Sequence, residues 1–140
     1  MPGNQPIRQI TAEQTWPIRQ LVMWPDKPLK FVQLPNDGEG VHFGYFVDEE
    51  LVSVLSLFIE QDQAQFRKFA TLPSFQGQGI GRSLLAHVFT YAQAHHIHRI
   101  WCHARTSATG FYRKSGMQEQ GEIFEKDGLA YVKMEKRVSP

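Results

Sequence analysis

A short glycine-rich turn is the part of this sequence with the clearest chemical potential, and it reads Gln76-Gly77-Gln78-Gly79-Ile80-Gly81. A strand-like run precedes the turn, and an amphipathic helical pattern follows it. Glycines let the backbone come close to an anion, while the unpaired amides and the dipole of a starting helix point toward it. This order of elements predicts that residues 78–83 cradle a pyrophosphate, with Arg82 adding a charge-assisted contact at the rim.

Two other phosphate-binding motifs do not fit the spacing of this turn. A P-loop needs Lys-Ser or Lys-Thr after its final glycine, whereas Gly81 is followed by Arg82-Ser83. The dinucleotide fingerprint Gly-x-Gly-x-x-Gly, counted from Gly77, has its third glycine one residue beyond Gly81, where this chain has Arg82, and it belongs on the first strand of a parallel unit. A tight turn that only begins a helix is the alternative that this motif alone leaves open.

Hydrophobic periodicity predicts the elements that hold the turn in place. Apolar residues recur at helical spacing over residues 80–92, and three strand-like runs separated by turns precede them as an antiparallel meander. The middle run is apolar at both alternating positions, so it is expected to be buried on both faces beneath helices on each side. A second short helix should be capped by Thr106 or Ser107 and end at Gly116. The predicted strands cover residues 7–10, 41–47, 51–59, 64–72, 99–104, 117–124 and 129–136.

The first helix is predicted from its capping residues. Thr11, followed by Gln14 three positions on, is a capping-box signal, and the apolar stripe that follows must end near Trp24-Pro25. Pro17 suits a first helical turn better than a helix interior, which leaves the start of this helix open. Residues 26–40 are predicted to form a loop with room for one helical turn.

The composition is that of one ordinary folded domain over residues 1–140. The chain has 140 residues and a mass of 16.1 kDa, of which 41% are hydrophobic and 21% charged, near the averages of globular proteins. Its 15 basic and 14 acidic residues give a formal net charge of +1, so no sequence-wide field favours nucleic acid or anionic membrane. No apolar run approaches a spanning helix, and no secretory signal pattern is seen, so a cytoplasmic protein is expected.

Two segments resemble the signatures of one family. The glycine-rich turn resembles the acetyl-CoA motif of the GNAT superfamily, Gln or Arg-x-x-Gly-x-Gly or Ala. The family's second signature, Ala-x-x-Phe-Tyr-x-x-x-Gly-Phe, resembles Ala108-Thr109-Gly110-Phe111-Tyr112-Arg113-Lys114-Ser115-Gly116-Met117. The element order also matches the family over nearly the whole chain. Within the family, the sequence looks closest to the small bacterial ElaA- and YjcF-like members. The chain departs from the pattern at Met117, where Phe is usual, and at Thr71, where an apolar residue is commoner.

This resemblance implies a binding site for acetyl-CoA as co-substrate. The strand before the turn would pair with the pantetheine arm through its backbone and offer an amide to the thioester carbonyl. It would also splay from the strand at residues 99–104, which opens a slot for the acetyl group. The implied cofactor-binding residues are Phe69, Ala70, Thr71, Leu72, Gln76, Gly77, Gln78, Gly79, Ile80, Gly81, Arg82, Ser83, Phe111 and Tyr112.

Acetyl transfer to an amine needs a neutral nucleophile, a polarised carbonyl and a proton for the departing thiolate. Tyr112 is the candidate general acid, because a phenol with a reference pKa near 10 is protonated at neutral pH. The alternative is a tyrosine packed in the core, as is expected for Phe111, which faces about 100° away on the helix. Glu60, Glu122 and His103 are candidates for the base, since each stands at a strand end near the expected slot. Relay through water, or an amine already partly neutral, would leave no single base to find.

Two further groups of reactive side chains have alternative explanations. Cys102 can be proposed as an acyl-carrying nucleophile, but a lone cysteine in an apolar strand is usually part of the core. It also excludes an intramolecular disulfide, because it is the single cysteine. His95, His96 and His98 suggest a metal, yet no cysteine or carboxylate nearby completes a four-ligand set, so no metal site is expected.

The acceptor side of the site is less well defined by the sequence. The loop of residues 25–40 and the turn of residues 126–128 are expected to shape it. The acidic residues Asp26, Asp37 and Glu39 fit this role and fit solvated loop charges equally. A small polyamine, an amino acid, an antibiotic and a protein N-terminus all remain open as acceptors.

We therefore expect an α/β domain of the GNAT fold, with a mixed, mainly antiparallel sheet of six or seven strands and helices on both faces. The expected reaction is direct transfer of an acetyl group from acetyl-CoA to a primary amine, on a small molecule or a peptide, in a ternary complex. A catalytically silent acyl-CoA sensor is the alternative, and a nucleic-acid-binding domain lacks the basic face it needs. A homodimer is an expectation from the family.

Overall fold

A seven-stranded mixed sheet forms the framework of the computed structural model, which describes residues 5–138. In chain order the strands are β1 (Ile7–Ile10), β2 (Val41–Val47), β3 (Glu50–Glu60), β4 (Gln63–Thr71), β5 (Arg99–Arg105), β6 (Gln118–Lys126) and β7 (Leu129–Arg137). The helices are α1 (Ala12–Met23), α2 (Ile80–Ala94) and α3 (Thr109–Lys114). The strands lie in the order β1-β2-β3-β4-β5-β7-β6, and every neighbouring pair is antiparallel except β4 and β5. The predicted fold class and its mainly antiparallel sheet are confirmed.

The helix termini confirm some of the predicted capping residues and contradict others. The capping box before α1 is present, because the Gln14 amide donates to the Thr11 hydroxyl at 3.2 Å and the Thr11 amide donates back to the Gln14 side chain at 2.8 Å. Pro17 lies inside α1, not in its first turn. The predicted caps of the short helix are wrong: residues 106–108 form a 3-10 turn instead, and α3 starts after it without a side-chain cap. Gly116 follows α3 with a φ of 94°, as the sequence predicted.

Residues of β3 alternate between two cores on opposite faces of the sheet. Leu55 and Leu57 join the larger cluster, in which α2 contributes Leu84 and Val88. Val54 points to the other face and packs with Ile18 of α1 and Ala70 of β4. All of these side chains are buried. The strand expected to be covered on both faces is therefore covered on both, by α1 and by α2.

A β-bulge in β4 interrupts its pairing with β3. Val54 lies opposite Ala70 and Ser56 lies opposite Arg67, so Leu55 alone faces the two residues Lys68 and Phe69. Lys68 has a φ of 55°, in the left-handed region that a side chain seldom adopts. A bulge of this kind bends a strand and increases its twist. Pairing of β4 with β5 is confined to residues 63–65 and 99–101, so the two strands diverge beyond this point.

A buried polar network ties α1 to the loop before β2 and to β3. The buried guanidinium of Arg19 donates to the two carboxylate oxygens of Asp37 at 2.8 and 2.9 Å. It also donates to the hydroxyl of Ser56 at 2.8 Å and to the carbonyl of Val32 at 2.9 Å. His42 contacts the same Ser56 hydroxyl at 2.7 Å and the Asp37 carbonyl at 2.9 Å. Four segments of the chain are thus joined by one set of hydrogen bonds.

Asp37 is the acid of this network and not a solvated loop charge. Its exposed fraction is 4%, so the expectation that it lies in solvent or shapes the acceptor side is wrong. Burial alone would raise the pKa of Asp37, but hydrogen bonds from Arg19, the Leu34 amide and Trp16 outweigh it and bring the pKa to about 2. The residue is therefore ionised near neutral pH and fully partnered.

Within residues 5–138, no helix is both long enough and apolar enough to span a membrane. The same residues contain no group of three His, Cys, Asp or Glu side chains placed to hold a metal ion. Arg19 Nε is the single buried side-chain nitrogen or oxygen in this part of the chain without a hydrogen-bond partner. The buried polar groups of the fold are otherwise satisfied.

Candidate functional site

The site lies in the wedge that opens where β4 and β5 diverge. A cavity of about 680 Å³ fills the wider part of the wedge, between the end of β4, the glycine turn, the start of α2 and α3. Most of the predicted cofactor-binding residues line this cavity, which we call the cofactor cavity: Phe69, Ala70, Thr71, Gln76, Gly77, Gly79, Ile80, Gly81, Arg82, Phe111 and Tyr112. The structure therefore brings both signature segments to one place.

The glycines shape the floor of the cofactor cavity. Gly77 and Gly79 have φ values of 77° and 82°, and Gly79 is the left-handed residue at which α2 starts. A side chain at either position would be strained by the backbone conformation alone. At Gly81, an added Cβ would meet the Phe69 ring at 3.4 Å. The turn therefore needs glycine at positions 77 and 79 for its backbone conformation, whereas Gly81 is in ordinary contact distance of the Phe69 ring.

The amides at the start of α2 are free to bind an anion. The Ser83 amide makes the first bond of the helix, to the Gly79 carbonyl at 3.0 Å. In the described part of the chain, no hydrogen bond occupies the amides of residues 79–82. These groups and the helix dipole provide positive charge at one end of the cavity. Ser83 is a correction to the predicted cradle, because its amide is already used within the helix.

Three of the predicted residues, Gln76, Gln78 and Leu72, make hydrogen bonds that hold the turn and the strand end. Gln76 donates from its side chain to the Thr71 carbonyl at 2.9 Å, which fastens the turn to the end of β4. The Gln78 side chain donates away from the cavity, to the Ser74 carbonyl at 3.1 Å. Leu72 donates its amide to the Val52 carbonyl at 2.9 Å and does not line the cavity. Gln78 and Leu72 therefore hold the turn and the strand in position.

The backbone at the end of β4 offers polar groups to the wedge. Leu72 bonds to β3 through its amide, and strand backbone groups alternate in direction, so the backbone groups of Thr71 point toward β5. The strand β5 has already diverged there, and the Gln76 side chain takes the Thr71 carbonyl. The Thr71 amide is left facing the cavity. The resemblance implies a hydrogen-bond donor at this place. Its acceptor would be the thioester carbonyl or the pantetheine arm that carries the thioester.

Tyr112 lies at the meeting point of two cavities. It lines the cofactor cavity and a second cavity of about 500 Å³ that continues between β4, β5 and the end of α1. It is half-buried against Phe66, at 5.8 Å between ring centroids, and against Phe111 at 5.2 Å. Burial, and to a smaller degree Cys102, raises the pKa of the phenol above its ordinary value of 10. Tyr112 is therefore a protonated donor at neutral pH, partly packed and partly open to the wedge.

His103 borders the same second cavity from β5. Its ring lies 5.0 Å from the Phe124 ring and 5.1 Å from the Trp101 ring, measured between centroids. Burial lowers the pKa of His103, and the charges of Lys126, Lys133 and Arg67 lower it further. The imidazole is thus neutral near pH 7 and can accept a proton. Of the three candidate bases, it is the one that shares a cavity with Tyr112.

The structure places Glu60 and Glu122 away from Tyr112. Glu60 ends β3 opposite the first residue of β4, and it borders a separate cavity with Trp101 and Lys133. Glu122 is exposed on β6, in a stretch where the pairing with β7 is interrupted, and it lines neither cavity of the wedge. Both residues do stand near strand ends or irregularities, but at other edges of the sheet. Neither of them lines a cavity that contains Tyr112.

Cys102 lies behind the wedge as part of the core. Its thiol borders the second cavity, but only 2% of the residue is exposed. Burial raises the pKa of Cys102 to about 12. A thiol held protonated in this way is a poor nucleophile, since the reactive species is the thiolate.

The second cavity also carries a group of cations that the sequence analysis did not identify. Arg67 and Lys68 of β4 line it together with His103, and a smaller adjoining cavity of about 250 Å³ adds Lys126. The adjacent basic residues Arg67 and Lys68 are the sequence feature that could have indicated this group. In an uninterrupted strand, however, neighbouring side chains point to opposite faces.

Comparison with known proteins identifies the family. Residues 28–138 match the family model described as an acetyltransferase (GNAT) domain. The chain belongs to the GNAT acetyltransferase family. An uncharacterized N-acetyltransferase of Bacillus subtilis, YitI, is 30% identical to this GNAT chain over 132 residues, which are 88% of this chain and 89% of YitI.

Solved structures share the GNAT fold of this chain at lower identity. Escherichia coli ElaA matches with a TM-score of 0.77 and 16% identity, covering 94% of this chain and 97% of ElaA. A Bacillus subtilis acetyltransferase solved in complex with CoA matches with a TM-score of 0.74 and 18% identity, covering 94% of this chain and 97% of that one. The resemblance stated from the two signature segments is confirmed at the level of the family and the fold.

Proposed function

We propose that this GNAT domain transfers an acetyl group from acetyl-CoA to a primary amine. The observation that carries the proposal is that the free amides at the start of α2, the open end of β4 and the Tyr112 hydroxyl converge on one cavity. This cavity is continuous in its lining with a second one on the acceptor side, through Phe69, Arg105 and Tyr112 among others. One side is suited to a diphosphate and its arm, and the other to an amine.

Binding of the co-substrate is the role of the backbone in this proposal. The amides of residues 79–82 hold the diphosphate at the N-terminus of α2, and Arg82 reaches it from the rim. The Thr71 amide donates to the pantetheine arm or the thioester carbonyl. Phe69 and Phe111 form an apolar wall, with ring centroids 6.1 Å apart. The CoA complex of the similar Bacillus subtilis acetyltransferase supports this assignment.

The chemistry follows from the position of Tyr112. The amine nitrogen forms a bond to the acetyl carbon, the carbon–sulfur bond breaks, and the departing sulfur takes a proton from the Tyr112 hydroxyl. Because its pKa is raised, the phenol is fully protonated before this step and ready to regain a proton after it. The proton released by the nitrogen passes to His103, directly or through water, since that imidazole is neutral at pH 7.

Direct attack in a ternary complex fits this site better than an acyl-enzyme. The single thiol of the chain is buried and its pKa is about 12. An acyl-enzyme on Cys102 would need a thiolate that the surrounding core disfavours. We therefore propose that no covalent intermediate forms on the protein.

Replacement of one hydroxyl tests this function. We expect Tyr112→Phe to lower thiol release from acetyl-CoA in the presence of primary amines by about 10²- to 10⁴-fold, the usual contribution of a general acid. Stabilisation of the fold by CoA, read as a rise in Tm, should be the same as in the wild type. Tyr91→Phe is the matched control, because Tyr91 lies on α2 against Phe43 and His95, away from the wedge.

The other outcomes separate the alternatives. Wild-type turnover in Tyr112→Phe would remove the role of general acid. Absence of thiol release over a broad amine panel, with CoA still raising Tm, would favour the acyl-CoA sensor. Absence of both would overturn the cofactor site itself.

A further inference from the structure

The acceptor side of the wedge is a cleft that combines free cations with aromatic walls. We call it the cationic cleft and define it by Arg67, Lys68, His103 and Lys126. These four residues line the two adjoining cavities of about 500 and 250 Å³. Tyr112, the proposed acid, stands at its inner end. An amine that reaches the thioester from this side must pass the charges of Arg67, Lys68 and Lys126.

The cations of the cleft have no carboxylate partners. In the described chain the ion pairs involve Arg8, Arg19, Arg99 and Arg113, and none involves a residue of the cleft. Asp127 is the single acidic residue that lines either cavity, and it makes no ion pair with Lys126 or Arg67. The net charge of the whole chain is nearly neutral, but the cationic cleft has a local excess of positive charge.

The cleft cations are close enough to affect one another. Burial lowers the pKa of Lys68, and the charges of Arg67, Arg19 and Lys126 lower it further, while the charge of Asp37 opposes them by a smaller amount. The pKa of His103 is lowered by burial and by Lys126, Lys133 and Arg67. Like charges held together without counter-charges repel, and a bound anion relieves that repulsion. The arrangement is thus suited to an anionic group.

The walls of the cleft supply a second recognition element. Trp24 at the end of α1, Phe31 beyond it, and Phe124 and Tyr131 of the last hairpin all border the cavities. The Phe124 and Tyr131 rings lie nearly parallel, with centroids 5.9 Å apart. Flat apolar walls of this kind accommodate an aromatic or other flat apolar body.

We propose that the acceptor is a primary amine that carries an anionic group and an apolar, preferably aromatic, body. This inference rests on the proposed function and names its substrate class. The anion contacts Arg67, Lys68 and Lys126, while the amine nitrogen points inward to Tyr112 and His103. Polycationic acceptors, such as polyamines, are disfavoured because they bring like charge into the cleft.

A set of amines that differ in one group tests the proposal. Thiol release is measured with phenylalanine and phenethylamine, which share a body and differ in the carboxylate, and with O-phosphotyramine and tyramine, which differ in a phosphate. We expect kcat/KM for the anionic member of at least one pair to be about tenfold or more higher, since the site then pairs otherwise free donors. The pair with the larger ratio identifies carboxylate or phosphate as the group. Spermidine should be the poorest substrate.

A charge reversal in the cleft provides the matched variant. Lys126→Glu should reduce the preference for the anionic amine several-fold, while Arg137→Glu, the same change in charge on an exposed residue outside the cleft, should leave it unchanged. The preference of the wild type should also fall as NaCl is raised, because the cations are solvent-accessible. Equal rates for both members of each pair, or higher rates for spermidine, would overturn the proposal.

A binding measurement separates this proposal from the function on which it rests. N-acetylphenylalanine and N-acetyltyramine phosphate are titrated into the CoA-loaded protein, with Trp fluorescence as the readout. If no amine is turned over but either anion binds more tightly to the wild type than to Lys126→Glu, the acetyltransferase function fails and the anion site stands. If amines are turned over without any anion preference, the function stands and this inference fails.

Discussion

Two groups of charged side chains adjoin the neighbouring strands β3 and β4, and they differ in whether their charges are paired. Ser56, which accepts a hydrogen bond from the buried Arg19, is opposite Arg67 of the cationic cleft in the register of β3 and β4. Arg19 has Asp37 as a counter-charge and is withdrawn from solvent, whereas Arg67 has no carboxylate partner and borders an open cavity. A partnered charge can hold segments of the chain together, and an unpartnered one is available to a ligand. The comparison predicts effects on stability for one group and on ligands for the other.

The largest expected effect comes from removing the counter-charge of the buried group. Asp37→Ala leaves the Arg19 guanidinium buried and without its carboxylate, which should lower the free energy of unfolding by about 3–5 kcal/mol. Urea denaturation followed by circular dichroism measures the change. Glu39→Ala, an exposed residue of the same turn, is the control and should change stability by no more than about 0.5 kcal/mol. Equal effects of the two substitutions would show that the network does not hold the fold.

Acid should destabilise the protein through the same residue, to a smaller extent. The pKa of Asp37 is about 2 in the fold and 3.8 without its partners, so its contribution is complete above pH 4 and is lost as the pH falls toward 2. The difference in the free energy of unfolding between wild type and Asp37→Asn should therefore shrink over this range. A difference that stays constant from pH 5 to pH 2.5 would contradict the proposed ionised pair.

The smallest effect on stability is expected in the cationic cleft, where a change should instead alter a neighbour's titration. Lys126→Gln should leave the free energy of unfolding within about 0.5 kcal/mol of the wild type, because no partner is lost. It should raise the pKa of His103. Burial is the largest cause that lowers this pKa, but the Lys126 charge lowers it as well, and the substitution removes that charge. Titration of the imidazole protons by NMR measures this shift. An unchanged pKa would place Lys126 too far from His103 to act in the same cleft.

Local patterns in the sequence were sufficient for the framework and for the position of the glycine turn. The glycine turn and the helix after it depend on residues close together in the chain and are present as predicted, and the helix with Tyr112 is present although its predicted caps are wrong. The polar network could not be predicted in this way, because Arg19 finds Asp37 and Ser56 from distant segments that meet only in the folded sheet.

The residues of the proposed acceptor side could not be predicted from the sequence for a related reason. Glu60 and Glu122 were proposed because they stand near strand ends, but strand ends occur at several edges of one sheet and the sequence does not say which edges meet. The cations of the cleft were not proposed, because the alternation rule assigns Arg67 and Lys68 to opposite faces. The bulge that breaks this rule in β4 has no strong local signal, since it contains no glycine.

The bulge in β4 adjoins both the cofactor cavity and the cationic cleft, the two halves of the proposed site. Without the extra residue in β4, side chains beyond it would exchange faces, and two adjacent cations could not both border the cavity beside Tyr112. The positive charge available to an acceptor is therefore a product of strand geometry as much as of composition. Shortening β4 by a single residue would disperse that charge and displace the backbone edge beside it, even if the remaining residues of the cleft were unchanged.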